Sequence, residues 1–279
     1  NFVKACKPLG LRKVRITGGE PLLRKDIHHL VRELSSMEME VALTTNGSLL
    51  ENNAANLAQS GLSRVTISLD AIDQEVHSKI TDSKVSVTDI LDGISAATRY
   101  ELGPVKVNCV VQRGVNEHQI PKLVRKFRGT GVIVRFIEFM DVGSTNGWTQ
   151  GQVVPTSEII DFLSSEFDLT PLARKSASDV ASRWAHSDGS GEIGFISSVS
   201  QPFCGDCVRA RLSSDGKFFT CLFTTMGHDM SALIRSGGGT EGLTQSIEEI
   251  WAARKDRYSE ERTSDAISLP RVEMSYIGG

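Results

Sequence analysis

Arg12-Lys13-Val14-Arg15-Ile16-Thr17 predicts a short β-strand, and Gly18-Gly19-Glu20-Pro21 predicts the loop that ends it. From here to about residue 139, runs rich in β-branched residues alternate with amphipathic stretches. Repeated strand–helix units of this kind form a parallel sheet with right-handed crossovers. The sequence therefore predicts a fold of the α/β class.

The predicted elements follow one another at short intervals. We expect strands at residues 12–17, 41–45, 64–69, 105–111 and 132–139, and helices at 26–37, 51–60, 73–82, 86–101 and 116–129. Polar or glycine residues follow several strand ends, as in Thr44-Thr45-Asn46-Gly47 and Ser68-Leu69-Asp70. Loops of this kind follow four of the predicted strands, at 17–21, 44–47, 68–70 and 138–143. In parallel α/β folds this edge of the sheet binds ligands, so four such loops favour a ligand site over loops that only connect the elements.

The pattern changes near residue 142, where we place a boundary between segments 1–141 and 142–279. The second segment has a polar stretch with Gly and Ser at 174–191. Short strands are expected at 191–197, 208–213 and 217–220, and helices at about 229–236 and 241–255.

The composition limits the classes of function. The chain has 279 residues, with 31 Lys and Arg against 34 Asp and Glu, a net charge of −3. This balance argues against a nucleic-acid binder with a basic surface. No apolar run approaches the roughly 18 to 20 residues that span a bilayer, so no membrane association is expected. We predict a cytoplasmic protein.

Three of the five cysteines are close together in the sequence, in Cys204-Gly205-Asp206-Cys207 and at Cys221. A tight turn can direct the first two thiolates at one centre, and a hairpin can bring the third beside them. The spacing leaves two sites open. One is a zinc site completed by His228 or His186, and the other is a four-iron cluster with one open iron. Cys6 and Cys109 are isolated and fit core packing.

Cations accompany the cysteines and the glycine loop. Arg209 and Arg211 would share one face of a strand at 208–213, a geometry suited to phosphate oxygens. Lys13 and Arg15 repeat the spacing before Gly18-Gly19, so these cations point inward or their strand is at an edge. Glu20 could accept hydrogen bonds from a ligand's amino group. Because these cations occur in both segments of a chain with a net charge of −3, they favour a localised anion-binding site over a diffuse basic patch.

Together these motifs closely resemble the GTP 3′,8-cyclase family of radical S-adenosylmethionine enzymes, which act first in molybdenum-cofactor biosynthesis. The resemblance runs from end to end. Its carriers are residues 14–24, Thr44-Thr45-Asn46-Gly47, Ser68-Leu69-Asp70, Arg135-Phe136-Ile137-Glu138-Phe139-Met140, Cys204/Cys207/Cys221 and Met274-Ser275-Tyr276-Ile277-Gly278-Gly279.

The resemblance implies an incomplete (β/α)₆ barrel, here lacking its first strand, closed by a C-terminal iron–sulfur cluster segment. In the family, one 4Fe–4S cluster cleaves S-adenosylmethionine, and the resulting radical abstracts the ribose 3′ hydrogen of GTP. The 3′ carbon radical then attacks guanine C8. A second 4Fe–4S cluster, held by cysteines matching Cys204, Cys207 and Cys221, binds the guanine.

Site residues carry over by motif from the resemblance. It places S-adenosylmethionine at Gly19, Ser68 and Met140. It assigns GTP contacts to Arg15, Thr44, Lys106, Arg209 and Arg211. The terminal glycines Gly278 and Gly279 should reach toward the active site. It also implies that the enzyme needs an electron donor and that a cyclic pyranopterin monophosphate synthase acts on its product. The resemblance allows a homodimer.

One departure concerns the first cluster. The family's Cys-x₃-Cys-x₂-Cys motif is absent from the 279 residues. We therefore expect an N-terminally truncated chain that does not cleave S-adenosylmethionine, the first cluster belonging only to the complete protein. Two other hypotheses remain: a radical S-adenosylmethionine peptide-modifying enzyme with an auxiliary cluster, and a non-catalytic nucleotide-binding zinc protein.

Overall fold

The computed structural model describes residues 1–176, 179–236, 239–262 and 271–278. Its strands are β1 (Lys13–Ile16), β2 (Glu40–Thr45), β3 (Arg64–Ser68), β4 (Lys106–Val111), β5 (Ile133–Glu138), β6 (Leu169–Leu172), β7 (Ser182–His186), β8 (Glu192–Ile196), β9 (Arg211–Leu212), β10 (Lys217–Phe219) and β11 (His228–Asp229).

The helices alternate with the first strands, as the sequence predicts. They are α1 (Phe2–Cys6), α2 (Ile27–Ser36), α3 (Leu50–Gln59), α4 (Gln74–Thr81), α5 (Val87–Arg99), α6 (Ile120–Phe127), α7 (Thr156–Ser164), α8 (Ser231–Arg235), α9 (Glu241–Ala252) and α10 (Met274–Ile277). Short 3₁₀ helices cover Pro21–Leu23, Glu117–Gln119 and Gln150–Gln152. Within the described ranges, no helix is both long and apolar enough to cross a bilayer.

One sheet organises most of the chain, in the order β1-β2-β3-β4-β5-β8-β7-β6. Strands β1 to β5 and β8 run parallel, and β7 and β6 are antiparallel to their neighbours. The α/β class and the parallel, partial-barrel sheet are thus confirmed. The sheet also continues past residue 142, because β8 pairs directly with β5.

Residues 182–186 lie within the polar stretch, where no strand was expected, but they form β7. Ser182–His186 pairs with β8 on one side and β6 on the other. Arg183 and Glu192 form a bidentate ion pair across β7 and β8, with both distances 2.7 Å. Cross-strand pairing of this kind stabilises a strand within a stretch rich in polar residues.

The parallel strands have one apolar and one polar face. Val65, Ile67, Val107, Cys109, Val134 and Phe136 are buried in the main core. The alternate positions of the same strands carry polar or charged side chains, among them Thr66, Lys106, Asn108 and Arg135. Because successive side chains of a strand point to opposite faces, these polar groups collect on the face away from that core.

A second, smaller core joins the two ends of the chain. Ala5 and Cys6 of α1 pack with Phe218, Leu243 and Ile247. The Thr244 hydroxyl donates to the carbonyl oxygen of Ala5 at 3.0 Å. Burial raises the pKa of Cys6 to about 11, and Cys109 is fully buried. Core packing is confirmed for both cysteines.

Candidate active site

Arg15 and Arg135 make hydrogen bonds along the polar face of the sheet. Nη1 of Arg15 donates to Oγ1 of Thr44 at 2.8 Å and to Oγ1 of Thr66 at 3.2 Å. Nε of Arg135 donates to Oδ1 of Asn108 at 2.9 Å. Strand β1 lies at one end of the sheet order, and Arg15 lies on this polar face. Lys13 of the same strand is half-exposed and pairs with Glu40 at 3.4 Å.

Lys106 occupies the same face, between these two arginines. It pairs in register with Thr66, which in turn pairs with Thr44. Its pKa is lowered to about 8, first by burial and then by the surrounding guanidinium groups, of which Arg135 contributes most. Burial and neighbouring cations also lower the pKa of Arg135 to about 10. Since a multiply charged anion would relieve both effects, the face suits such a ligand.

Arg135 and Arg64 join this cation group, although no role was assigned to either from the sequence. Arg64 lowers the pKa of Lys106 while pairing with Glu40. A Cβ on Gly194 would lie 2.9 Å from Cγ of Arg135, so this glycine makes room for the arginine. The signal was available: the apolar residues Val134 and Phe136 flank Arg135 and leave it on the polar face.

The glycine loop after β1 is tied to the loop after β2 through Glu20. The carboxylate accepts hydrogen bonds from Thr45 Oγ1 (2.7 Å), the Asn46 amide (2.7 Å) and the Leu22 amide (2.9 Å). Glu20 was expected to accept hydrogen bonds from the amino group of a ligand. Its carboxylate already accepts three hydrogen bonds within the chain, and a ligand would have to compete with them. A Cβ on Gly18 or Gly19 would meet nothing within 4 Å, so the backbone here is open to a ligand.

Gly19, Ser68 and Met140 all follow or end parallel strands. Gly19 follows β1, Ser68 is the last residue of β3, and Met140 lies two residues past β5. The Asn146 side chain donates to the Met140 carbonyl oxygen at 2.9 Å. Carboxyl ends of parallel strands share one sheet edge, so these three residues belong to the same edge.

A small antiparallel sheet carries the cysteines. Strand β10 pairs with β9 and β11, Cys207 closes a turn with a bond from its amide to the Cys204 carbonyl oxygen (3.1 Å), and Cys221 lies two residues past β10. The predicted hairpin between residues 208 and 220 is present. Among the described residues, no three His, Cys, Asp or Glu side chains are grouped closely enough to hold a metal ion.

Two of the three thiols lie beside cationic or N–H donors. Guanidinium Nε and Nη2 of Arg209 lie 3.4 and 3.2 Å from Sγ of Cys207. Burial alone would raise the pKa of Cys207, but the bonds and charge of Arg209 bring it below its usual value. The Phe223 amide donates to Sγ of Cys221 at 3.4 Å. The neighbouring cation therefore favours the thiolate form of Cys207, whereas burial raises the pKa of Cys221 above its usual value in spite of the Phe223 amide.

The strand predicted at 208–213 is shorter than expected. Strand β9 covers Arg211–Leu212 alone, because its pairing with β10 involves only Phe218 and Phe219. Arg209 lies outside the strand and reaches Cys207 instead. The alternation argument for a shared face is therefore wrong in its geometry, although both arginines do lie beside the cysteines: the charges of Cys221 and Cys207 act on Arg211.

The C-terminal tail contacts both halves of the site. Nε of Arg211 donates to the Gly278 carbonyl oxygen at 3.0 Å. Gly278 has φ +74°, and a Cβ there would collide with Cγ2 of Thr17, just past β1. Ile277 is buried. Gly279, the other predicted tail residue, lies outside the described residues.

The histidines proposed for a zinc site have other surroundings. His186 is buried in β7 against the Phe167 ring, with ring centroids 5.7 Å apart, and its charged neighbours are Arg128 and Asp188. His228 is exposed on β11. Neither residue joins a group of three potential ligands in the part of the chain described.

Comparisons with known proteins agree with this arrangement. The Radical SAM superfamily matches residues 1–127, and the family described as Molybdenum Cofactor Synthesis C matches residues 132–260. The structure of Streptococcus suis SuiB bound to S-adenosylmethionine has a similar fold. Its TM-score is 0.59 at 14% identity, over 96% of this chain and 62% of that one.

Curated relatives show the family directly. GTP 3′,8-cyclase of Xanthomonas campestris pv. campestris (strain B100) is 46% identical over 280 residues, covering 100% of this chain and 82% of the relative. GTP 3′,8-cyclase of Acidothermus cellulolyticus is 43% identical over 305 residues, covering 100% and 83%. With two such relatives matched along its whole length, the chain belongs to the GTP 3′,8-cyclase family of radical S-adenosylmethionine enzymes.

Proposed function

We propose that the protein is a GTP 3′,8-cyclase, which converts GTP to (8S)-3′,8-cyclo-7,8-dihydroguanosine 5′-triphosphate in molybdenum-cofactor biosynthesis. These 279 residues lack the Cys-x₃-Cys-x₂-Cys motif of the first cluster, so we expect this chain by itself not to cleave S-adenosylmethionine. The observation that carries this proposal is the group of cations on the polar face of the barrel sheet. Arg15, Lys106 and Arg135 lie on strands and not on mobile loops, so their charges are preorganised. Three phosphate groups would supply the negative charge that this face lacks.

The triphosphate has binding partners in both segments of the chain. Arg15 and Lys106 contribute charge from the barrel, and the Thr44 hydroxyl adds a neutral donor beside Arg15. Arg209 and Arg211 contribute charge from the segment after the barrel, which we assign as a GTP-binding part within residues 142–279. GTP would therefore span the space between the polar face and the cysteines.

S-adenosylmethionine is assigned to the sheet edge that holds Gly19, Ser68 and Met140. The open backbone at Gly18-Gly19 can approach a ligand closely. Glu20 keeps this loop in place by bonding to Thr45 and Asn46, so its role is to hold the loop. The reaction also requires an electron donor, and its product is the substrate of cyclic pyranopterin monophosphate synthase.

Cys204, Cys207 and Cys221 would hold a 4Fe–4S cluster. With three protein ligands, such a cluster keeps one iron open to a substrate atom. Arg209 and Arg211 balance the charge of the thiolates, and the Phe223 amide bonds to one sulfur. The same two arginines would then hold the phosphates of a nucleotide whose base is near the cysteines.

The test is anaerobic reconstitution followed by metal analysis and electron paramagnetic resonance. We expect about four irons and four sulfides at the Cys204 site, and a spectrum of the reduced protein that changes when GTP is added. A Cys221→Ser variant should lose both features. One zinc per chain and no response to GTP would overturn the proposal.

A further inference from the structure

Glu138, the last residue of β5, is a fully buried carboxylate with four hydrogen-bond donors. Its Oε1 accepts from the Thr156 amide at 2.8 Å and from the Ser200 hydroxyl at 2.5 Å. Its Oε2 accepts from the amides of Val199 and Ser200, each at 2.8 Å. The side chain is 0% exposed. A buried carboxylate is costly unless every oxygen is bonded, so these donors define where residues 199–200 lie.

Asp141, three residues further on, is a second buried carboxylate with different partners. It forms ion pairs of 2.9 Å with Arg262 and with Arg271, and it accepts a hydrogen bond from the Tyr258 hydroxyl. Burial opposes its ionisation, but Tyr258 and the two arginines outweigh that effect and keep the pKa of Asp141 below its usual value. The group is therefore an ionised anchor.

The partners of Asp141 lead directly to the last cysteine. The Tyr258 ring stacks on the Phe223 ring, with centroids 4.7 Å apart and an interplanar angle of 28°. Arg271 lies over the Tyr258 ring, with its guanidinium carbon 4.4 Å from the centroid. The Phe223 amide in turn donates to Sγ of Cys221. Through Tyr258 and Phe223, Asp141 thus fixes the chain that follows Cys221.

The two carboxylates consequently hold opposite flanks of one segment. We define the cysteine segment as residues 201–222. Glu138 binds the two residues just before this segment, and Asp141 binds Tyr258, whose ring stacks on Phe223 just after it. Both carboxylates come from the carboxyl end of β5, the strand that also carries Arg135 and leads to Met140.

We infer that Glu138 and Asp141 are positioning residues that set the cysteine segment at a defined place over the barrel mouth. Neither touches the thiols, so their effect is on where the thiols lie. A rigid two-point attachment would keep the cysteines at a constant distance from Arg15 and Lys106. The consequence for the reaction rests on the proposed function, whereas the attachment itself does not.

Hydrogen exchange of the cofactor-free protein, followed by mass spectrometry, tests the attachment. In Glu138→Gln an amide nitrogen replaces one acceptor oxygen, so we expect exchange in residues 198–203 to rise about tenfold, with residues 221–226 much less affected. Asp141→Asn should give the reverse pattern. Glu158→Gln removes an exposed carboxylate paired with Arg113 and should change neither flank.

Two milder variants test the same attachment in case the carboxylate substitutions prevent folding. Ser200→Ala removes one donor to Glu138, and Tyr258→Phe removes one donor to Asp141 while keeping the ring. Each should loosen only its own flank. Equal loosening of both flanks by every variant, or no change at either flank, would overturn the inference.

A second readout connects the attachment to the site. In reconstituted protein, Glu138→Gln should alter the g-values that GTP produces, because the segment lies differently against the nucleotide. Simple destabilisation would reduce the signal without moving those values. If wild-type protein shows no response to GTP, the proposed function fails while the exchange result still decides the attachment.

Discussion

The Nε of Arg211 donates to the carbonyl oxygen of Gly278 at 3.0 Å. This bond joins the cysteine sheet to the last described turn of the chain. Thr17, past the end of β1, lies against the same glycine. The tail therefore contacts the loop after β1 on one side and Arg211, a residue expected to bind GTP, on the other. It lies between the two halves of the site.

Gly278→Ala should displace the tail. Its φ of +74° with ψ of 135° is a backbone conformation that only glycine adopts readily, so an alanine is strained by about 1–3 kcal/mol, and the new methyl group would collide with Thr17. We expect GTP affinity to fall at least about tenfold, measured by calorimetry on reconstituted protein.

Gly189→Ala is a matched control. Gly189 has φ +75°, but a Cβ there meets nothing within 4 Å. Both substitutions place a Cβ at a positive φ, but the collision is absent at Gly189, and GTP affinity of this variant should be unchanged. Equal losses in both variants would mean that strain, and not the position of the tail, accounts for the effect.

The binding of GTP should depend on the protonation of Lys106. Its pKa of about 8 is lowered in the free site, and a bound anion raises it again. Affinity is then greatest below pH 8 and falls by up to about tenfold for each pH unit above that pKa. Titration calorimetry between pH 7 and 9 measures this slope, and Lys106→Arg, which keeps its charge, should flatten it.

Arg135→Met should move this pH dependence as well as weaken binding. Arg135 is the strongest charged contributor to the lowered pKa of Lys106, so its removal should shift the midpoint to higher pH. The loss of one charged partner should cost about 1.5–3 kcal/mol of GTP binding at pH 7. Arg128→Met, which breaks an exposed pair with Asp188, is the control. If the pH midpoint of GTP affinity is unchanged in Arg135→Met, Arg135 does not act on the pKa of Lys106.

The fold could be predicted from the sequence because apolar and polar residues alternate so regularly in the parallel strands. Val107 and Cys109 on one side and Lys106 and Asn108 on the other define both faces of β4 without knowledge of its neighbours. Strand β7 was missed, since it lies within a stretch rich in polar residues and is held by cross-strand contacts such as Arg183–Glu192 and Trp184–Phe195 that no local pattern reveals.

Among the site residues, those next to a glycine or cysteine motif were easier to recognise than those defined by register. Arg135 and Arg64 enter the cation group because β3, β4 and β5 place them beside Lys106. Glu138 belongs to a motif that was recognised, yet its partners Val199 and Ser200 are about 60 residues away in sequence. Long-range partners of this kind are set by topology.

Arg209→Ala should weaken GTP binding by about 1.5–3 kcal/mol, the usual contribution of a hydrogen bond to a charged group. The side chain is exposed, and its guanidinium lies beside Cys207 and 5.1 Å from the Phe203 ring. Because it is outside β9, the substitution should leave the fold intact. Calorimetry of the reconstituted variant measures the loss.

Arg125→Ala, which removes an exposed arginine paired with Glu166, provides the comparison. If both variants bind GTP as the wild type does, Arg209 serves the thiolate of Cys207 and not the nucleotide.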